Sequence, residues 1–388
     1  MNCRPIGSRA SYRECDQNGD NIESFQRAKA DPLHSAISRV VVITGGTSGI
    51  GRCTAALFAR RGWHIGLIAR GAEALLATSQ DVEATGVSVA SAQADVTDCV
   101  ALRDAANAIV AELGPIDVWI NCAGNGVYGR FEDVPAEEFQ RVTDVTYHGT
   151  VNGTRVALSH MRARGRGNIV NVCSATAFHG LPLLSSYAGA KAAVRAFGQA
   201  IRGELALDRS SIKITTVFPP AVNTPFFSHA TSYMGWPARP AKPVYQPEVV
   251  AQGIWQAVAS GRSEMMISGT AATFFVMTRL APSLIAWCTA RLGMERQSTR
   301  DQEICELQEP TLFTPSVRAF GVHGPFGRWA RGWSAQLWLD RISTAIMAVL
   351  TPAQDRPPGP LDVQSTSTDA SPVPRRELEG SGARFGDS

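Results

Sequence analysis

The sequence predicts an α/β fold in which helices cover both faces of a doubly wound parallel sheet. Between residues 38 and 270, short runs rich in valine and isoleucine alternate with longer segments of helical periodicity. A glycine cluster also lies between the first run and the first helical segment. Apolar strands that alternate with helices form right-handed β–α–β units, and such units build parallel sheets that are buried on both faces.

Seven runs have the length and composition of strands: RVVVIT (39–44), HIGLIA (64–69), VSVASAQ (87–93), DVWIN (117–121), NIVNVC (168–173), IKITTVF (212–218) and SEMMIS (263–268). The segments between them have helical periodicity, with predicted helices at 50–61, 73–84, 99–113, 136–164, 186–207 and 247–260. This alternation predicts one α/β domain over about 38–270.

Three further segments flank this domain. Residues 1–37 are polar and charge-balanced, which predicts a disordered N-terminal arm. Residues 352–388 are rich in Pro, Ser, Thr and Asp, which predicts a disordered tail. Residues 271–351 are predicted to be a helical extension, with one apolar stretch at 270–292, which begins at its boundary, and another at 333–350. Its helices either pack on the core or a partner subunit, or they contact a membrane surface or a lipid substrate.

Charge and cysteine usage exclude several classes of function. The net charge is +3 with both signs scattered along the chain, which is too weak to indicate a nucleic-acid partner or an anionic membrane surface, and no nucleic-acid partner is expected. The eight cysteines form no CxxC pair and lie near no histidine cluster, so we expect neither a metal site nor a disulfide framework. Because no secretory signal and no long uncharged apolar run stands out, a cytoplasmic location is expected.

The first strand is joined to the first helix by the glycine-rich segment Thr44–Gly51, TGGTSGIG. Glycines at 45, 49 and 51 let the backbone turn tightly and approach a pyrophosphate, while the helix aims its free N–H groups at that anion. A glycine cluster is weak evidence alone, but it is strong evidence at the head of a β–α–β series. The segment therefore predicts a dinucleotide site of the Rossmann type.

The end of the second strand indicates which dinucleotide is bound. A carboxylate at this place hydrogen-bonds the ribose 2′-hydroxyl of NAD, whereas a basic residue accommodates the 2′-phosphate of NADP. The strand ends Ala69-Arg70, with no carboxylate before Glu73. Since a guanidinium matches a phosphate in charge and geometry, NADP(H) is favoured over NAD(H). The alternative is an arginine that only caps the loop.

Four motifs, taken in order, resemble the short-chain dehydrogenase/reductase family: TGGTSGIG, Asn121–Gly124 (NCAG), Ser174 and Tyr187–Lys191 (YAGAK). The likeness spans roughly 38–270. Within the family, the chain is similar to a branch that carries VTYxGxVxGT, here starting at Val145, and PAVNTP, here Pro220–Pro225. The resemblance implies an oxidoreductase that interconverts an alcohol and a carbonyl by hydride transfer.

The proton chemistry is expected at Tyr187 and Lys191, which are four residues apart and therefore share one helix face. A cation beside a phenol favours the phenolate and lowers its pKa. By resemblance, Tyr187 is the general acid/base, Lys191 lowers its pKa and binds ribose, and Ser174 orients the substrate oxygen. Thr146 stands where the family often has an asparagine that organises a proton relay. Its hydroxyl is expected to hold a water, or a backbone carbonyl serves alone.

The resemblance also implies contacts to the cofactor. Asp95 would accept from the adenine amino group, and Thr224 would contact the nicotinamide carboxamide. Pro219-Pro220 replaces the Pro-Gly that the family usually has, which changes the loop near the nicotinamide. The full predicted cofactor set is Gly45, Thr47, Ser48, Gly49, Ile50, Gly51, Arg70, Asp95, Val96, Asn121, Ala123, Gly124, Tyr187, Lys191, Pro219, Val222 and Thr224.

The substrate is predicted to be an apolar alcohol or ketone, because an aromatic segment at 225–245 offers a pocket lid. Its apolar members are Phe226, Phe227, Tyr233, Met234 and Trp236. Family resemblance implies a homodimer or homotetramer built from 136–164 and the Tyr187 helix. Two alternatives stay open at this stage: a non-catalytic NADP-binding scaffold, and a membrane-surface lipid oxidoreductase that uses 271–350 for peripheral contact.

Overall fold

The structure is a computed structural model, and it describes residues 39–316 and 321–350. The predicted arm at 1–37 and tail at 352–388 lie outside the described residues. In the described part, seven strands form the main sheet: β1 (Val40–Thr44), β2 (His64–Ala69), β3 (Val89–Gln93), β4 (Ile116–Asn121), β5 (Asn168–Val172), β6 (Lys213–Phe218) and β7 (Glu264–Met266).

The strands are entirely parallel and run in the order β3-β2-β1-β4-β5-β6-β7. The order reverses between β1 and β4. In open α/β sheets, ligands bind outside the carboxyl ends of the strands at such a reversal. The predicted α/β class with a doubly wound parallel sheet is confirmed.

The helices of the described residues are α1 (Gly49–Ala59), α2 (Ala72–Glu83), α3 (Cys99–Leu113), α4 (Ala136–Thr143), α5 (Gly149–Arg162), α6 (Ser185–Leu207), α7 (Phe226–His229), α8 (Pro247–Ser260), α9 (Gly269–Leu280), α10 (Pro282–Gln297), α11 (Gln302–Glu306) and α12 (Ala335–Leu350).

Two apolar layers lie on opposite faces of the sheet, because successive strand side chains point to opposite sides. Val41 and Ile43 of β1 belong to the layer that includes Phe58 of α1. Val40 and Val42 belong to the layer covered by α3 and α5. All four valine and isoleucine side chains are fully buried. Burial on both faces explains why the strand sequence is continuously apolar rather than alternating.

The predicted helical region at 136–164 is divided by a π-helical turn at Asp144–His148. In this turn the Gly149 N–H donates to the carbonyl of Asp144, five residues earlier, rather than four as in an α-helix. Gly149 also lies against the loop after β3, where an added methyl group would approach a Val96 methyl to 2.5 Å. Thr146 lies within this turn. Single π-helical turns inside α-helices are frequent at functional sites.

The chain beyond β7 packs on the α/β core and also presents apolar helices. No single helix of the described residues is long and apolar enough to cross a membrane. Gly269–Leu280 and Pro282–Arg291 reach the length and hydropathy of a membrane span only together, and the two helices are bent by 119° relative to each other. Further along, the side chains of Leu312, Phe326 and Leu337 are buried. The domain boundary near 270 stays a prediction.

Candidate active site

A cavity of about 560 Å³ lies at the carboxyl ends of the central strands. It is lined by many of the residues that the sequence predicted: Gly45, Thr47, Ser48, Gly49, Ile50, Gly51, Ala123, Gly124, Ser174, Tyr187, Lys191, Pro219, Val222 and Thr224. A smaller cavity of about 140 Å³ shares Gly45, Ser48 and Gly124 with it and is also lined by Arg70, Asp95 and Val96. Asn121 and Thr146 line neither cavity.

The glycine-rich loop forms a cradle of bare backbone. Gly45 has a φ of +67°, and a methyl group there would lie 2.8 Å from the Ala123 Cα. A methyl group at Gly51 would overlap the Gly45 carbonyl. The Ser48 side chain, at the start of α1, makes no capping hydrogen bond. The first turn of α1 is therefore not capped by this side chain, and a helix N-terminus attracts anions.

Ser174, Tyr187 and Lys191 meet at the edge of the larger cavity. Ser174 lies two residues after the end of β5, and its hydroxyl is a hydrogen-bond partner of the Tyr187 phenol. Lys191 lies one turn after Tyr187 on α6, with its Nζ 5.6 Å from the centre of the tyrosine ring. The Lys191 ammonium also donates to the Val172 carbonyl at 2.7 Å. The three side chains are thus held by two different elements, the end of β5 and the first turns of α6.

Burial shifts the pKa values of Tyr187 and Lys191. It raises the pKa of Tyr187 above its ordinary value, and the hydrogen bond from Ser174 lowers that pKa by less. Burial also lowers the pKa of Lys191. The lowering of the Tyr187 pKa that was expected from Lys191 is not found in this structure, where burial raises that pKa. Tyr187 is therefore a protonated phenol at neutral pH, in a position to donate a proton into the cavity.

Thr146 lies just behind the cavity wall. Its hydroxyl is fully buried and has no hydrogen-bond partner in the part of the chain that the structure describes. A methyl group added at Gly124 would lie 3.8 Å from the Thr146 hydroxyl and 3.7 Å from the Lys191 Nζ. The two polar groups thus flank one small volume. A buried polar group without a partner is costly, and an ordered water commonly satisfies it.

Asn121 holds the centre of the sheet together from the end of β4. Its carboxamide oxygen accepts from the Trp119 indole N–H at 2.7 Å. Its amide nitrogen donates to the Thr154 hydroxyl at 3.1 Å and to the Asn171 side chain at 2.8 Å. These bonds join β4 to α5 and β5. Asn121 therefore positions the following residues Ala123 and Gly124, which do line the cavity.

Arg70 lies at the far end of the smaller cavity, but its guanidinium already has protein partners. It donates to the carbonyls of Thr311 at 2.6 Å, Phe313 at 2.9 Å and Leu312 at 3.3 Å. We call residues 309–316 the strap. Asp95 lies 3.9 Å from Arg70 and is itself paired with Arg141 of α4. The sequence indicated neither the strap nor Arg141, because no motif or periodicity marks them.

The substrate side of the cavity differs in part from the predicted lid. Phe226 and Phe227 line the cavity, whereas Tyr233, Met234 and Trp236 do not. Tyr233 and Trp236 are instead exposed. The opposite wall comes from α9 and α10, which contribute Phe274, Ile285, Cys288 and Thr289. These two helices were predicted as an extension, for which contact with a lipid substrate was one of the alternatives.

Comparison with known proteins gives consistent relatives. A family model described as short chain dehydrogenase matches residues 39–234. The uncharacterized oxidoreductase YxnA of Bacillus subtilis is 33% identical over 248 residues, which are 63% of this chain and 70% of that protein. SadH of Mycobacterium tuberculosis, which is also named an oxidoreductase, is 32% identical over 260 residues, covering 65% of this chain and 94% of SadH.

Solved structures share the same architecture. An actinorhodin polyketide ketoreductase with NADPH is 25% identical, with a TM-score of 0.53, over 59% of this chain and 95% of the other. A short chain dehydrogenase from Mycobacterium paratuberculosis bound to NAD is 25% identical, with a TM-score of 0.52, over the same shares of the two chains, 59% and 95%. The neighbours therefore bind nicotinamide cofactors of both kinds.

Proposed function

This chain belongs to the short-chain dehydrogenase family, whose members are oxidoreductases that act on CH–OH and C=O groups. We propose that it interconverts an apolar alcohol and the corresponding carbonyl compound with NADP(H). The observation that carries the proposal is the meeting of Ser174, Tyr187 and Lys191 beside the glycine cradle in one cavity. Gly45 and Gly51 line this cavity, and side chains at these positions would collide with other backbone atoms, so a bound dinucleotide would meet bare backbone here.

The proposed mechanism assigns each step of the proton path to a residue of this chain. When bound, the nicotinamide exchanges a hydride with the substrate carbon. The Ser174 hydroxyl donates a hydrogen bond to the substrate oxygen and orients it. Tyr187 gives its phenolic proton to that oxygen during reduction and takes it back during oxidation. Lys191 stabilises the phenolate that remains after reduction, because its positive charge lies one helical turn away.

Thr146 and Lys191 form the proposed return path for the proton. Water held between the Thr146 hydroxyl and the Lys191 ammonium connects the partly buried Tyr187 to solvent through hydrogen bonds. The carbonyl of Thr146 accepts from the Thr150 hydroxyl at 2.9 Å, which fixes the turn that presents the side chain. The hydroxyl of Thr146 thereby replaces the asparagine that the family often uses.

The chemistry is tested by a Tyr187→Phe variant. Consumption of NADPH is followed with a panel of apolar ketones, and NADPH binding is measured by fluorescence titration. The variant is expected to lose about 10²–10⁴-fold in kcat while its Kd for NADPH stays within error, because only the proton donor is removed. Equal turnover by the two proteins would contradict the assignment of Tyr187. A wild-type protein that binds NADPH but turns over no ketone would favour the non-catalytic scaffold.

The proposed preference for NADP(H) depends on Arg70. The control is Arg52→Ala, since Arg52 also follows the glycine loop but pairs with Asp81. Arg70→Ala is expected to weaken NADPH binding about tenfold or more and to leave NADH binding nearly unchanged, because only NADPH carries the 2′-phosphate. Arg52→Ala is expected to leave the ratio of the two Kd values unchanged. If Arg70→Ala leaves that ratio unchanged too, Arg70 does not read the phosphate.

A further inference from the structure

The bent helix pair α9–α10 has one face toward the cavity and another toward solvent. Phe274 and Ile285 line the cavity on the inner side. On the outer side, apolar side chains are exposed: Leu280 is 76% exposed, Leu284 51% and Trp287 58%. Soluble proteins rarely collect such side chains on one surface without a partner. The same two helices thus separate the substrate cavity from an apolar surface.

The charges on this pair are mainly positive. Across Gly269–Gln297 the charged residues of the sequence are Arg279, Arg291 and Arg296, with Glu295 as the one carboxylate. The Arg279 guanidinium lies 4.8 Å from the centre of the Phe275 ring, and Arg291 lies 5.5 Å from that of Trp287. Arginine and tryptophan side chains of this kind occupy the headgroup level of bilayers, and arginine is attracted by anionic lipids.

We propose that the outer face of α9–α10 docks on a bilayer that contains anionic lipid. The cavity then receives its apolar alcohol or ketone from that bilayer, past the inner face of the same pair; this second part rests on the proposed function. The contact is peripheral, because the pair is bent by 119° and neither helix alone has the length and hydropathy to cross a bilayer.

Sedimentation of the full chain with vesicles tests the docking. The vesicles contain phosphatidylcholine, with or without phosphatidylserine. The double variant Leu280→Ser/Trp287→Ser removes two exposed apolar groups from the face, and Leu76→Ser on α2 is the control, since Leu76 is 61% exposed elsewhere. The wild type and the control are expected to sediment with the anionic vesicles, and the double variant to lose at least tenfold in binding.

The outcomes separate the docking from the chemistry. If the wild type fails to bind vesicles while it still reduces a water-soluble ketone, the docking proposal is wrong and the proposed function stands. If the double variant instead dissociates an oligomer in gel filtration, the face is an interface between copies of this chain, and the proposal is also wrong. If docking feeds the cavity, the double variant raises KM for a vesicle-dissolved ketone and leaves KM for the soluble one unchanged.

An independent observation concerns the strap. Its three consecutive carbonyls, from Thr311 to Phe313, accept hydrogen bonds from the Arg70 guanidinium, the group assigned to the cofactor phosphate. The Leu312 carbonyl also accepts a hydrogen bond from Arg141 Nε at 3.2 Å. The Leu312 side chain is buried beside Val127 and Val142. Thr311, Pro315 and Ser316 line the smaller cavity together with Arg70. The strap therefore forms a wall of the smaller cavity, where the adenosine part of the cofactor is expected to bind.

From these contacts we infer that the strap gates the exchange of the cofactor. Arg70 must give up its carbonyl partners before a phosphate can take their place. Release of the strap also opens the smaller cavity, so that the adenosine part of the cofactor can enter and leave. The strap is thus expected to slow both association and dissociation, since both pass through the same opened state.

A reversible lock tests the gating. A methyl group at Gly71 would lie 3.3 Å from the Pro315 Cβ, close to the separation of about 3.5–4.5 Å found in disulfides. The double variant Gly71→Cys/Pro315→Cys is compared oxidised and reduced by stopped-flow NADPH fluorescence, with Gly71→Cys as the control. Oxidation is expected to slow association and dissociation at least tenfold in the double variant only, and reductant is expected to restore both rates. Equal rates in the two redox states, with the disulfide verified by mass spectrometry, would overturn the inference.

Discussion

At the residue scale, the protonation of Tyr187 follows from its surroundings. The phenol lies near the partly buried thiol of Cys122 and the buried thiol of Cys173, and burial raises the pKa of Tyr187 above its ordinary value. The thiols are affected in the same way, since burial raises the pKa of Cys173 to about 11 and that of Cys122 to about 12. All three groups are therefore neutral at physiological pH. The cavity presents a proton donor and no thiolate nucleophile from these residues.

This protonation predicts opposite pH profiles for the two directions. Reduction uses the neutral phenol, which predominates well below its raised pKa, so kcat for reduction is expected to be flat from about pH 6 to 8. Oxidation uses the phenolate, whose fraction rises about tenfold per pH unit below the pKa, so kcat for oxidation is expected to rise with pH. Initial rates in both directions between about pH 6 and 10 check this. Identical profiles in the two directions would contradict it.

The sequence is informative about this residue scale only where a motif fixes spacing. Ser174, Tyr187 and Lys191 could be predicted because they stand in the order and spacing of the motifs of the short-chain dehydrogenase family. The partners of Arg70 could not, because Thr311 lies 241 residues further along the chain and contributes a backbone carbonyl, which carries no residue signature. The direction of the pKa shift of Tyr187 could not be predicted either, since it depends on how far the folded protein buries the ring.

At the element scale, the glycines of the helices separate into two kinds. Gly153 of α5 faces β4, where an added methyl group would overlap the Asn121 side-chain oxygen. Gly203 of α6 is exposed, and no atom lies within 4 Å of an added methyl group. The strands and helices themselves were largely predictable, because apolar periodicity determines them. The π-helical turn at 144–148 was not, since the change of hydrogen bonding leaves the apolar pattern almost unaltered.

Alanine at these two glycines is expected to change stability in opposite directions. Gly153→Ala should lower the free energy of unfolding by about 1–3 kcal/mol, because it displaces the Asn121 network. Gly203→Ala should raise it by about 0.5–1 kcal/mol, because alanine loses less conformational freedom in a helix. Urea unfolding followed by circular dichroism measures both. A Gly153→Ala protein as stable as Gly203→Ala would show that the contact with Asn121 is easily relieved.

At the scale of the whole molecule, the last described helix is tied to the core of the α/β domain. Leu337 is buried in the same apolar layer as Val41 of the central strand. The Ser334 hydroxyl donates to the Ile267 carbonyl at 2.8 Å, and Arg262 pairs with Asp340 at 2.9 Å. The sequence predicted helices in this segment from their apolar residues, but periodicity alone could not identify the surface against which they pack.

Leu337→Ala tests whether this attachment contributes to global stability. The free energy of unfolding is expected to fall by about 2–5 kcal/mol, as for other buried leucines. Leu339→Ala is the control, since Leu339 is more than half exposed, and it should change stability by less than about 0.5 kcal/mol. Guanidinium unfolding followed by tryptophan fluorescence measures both variants. Equal stability of the two would mean that α12 opens independently of the α/β domain.

The position of the strap late in the chain has a consequence for synthesis on the ribosome. Domains fold as the chain emerges, N-terminal parts first, and the glycine loop, Ser174 and Tyr187 all precede residue 309. A nascent chain can therefore present an open nucleotide cleft before its cover has been translated. A dinucleotide captured at that moment is enclosed when translation finishes, without the strap ever having to open. Newly made protein is then expected to leave the ribosome already loaded, and purified protein to exchange its nucleotide slowly.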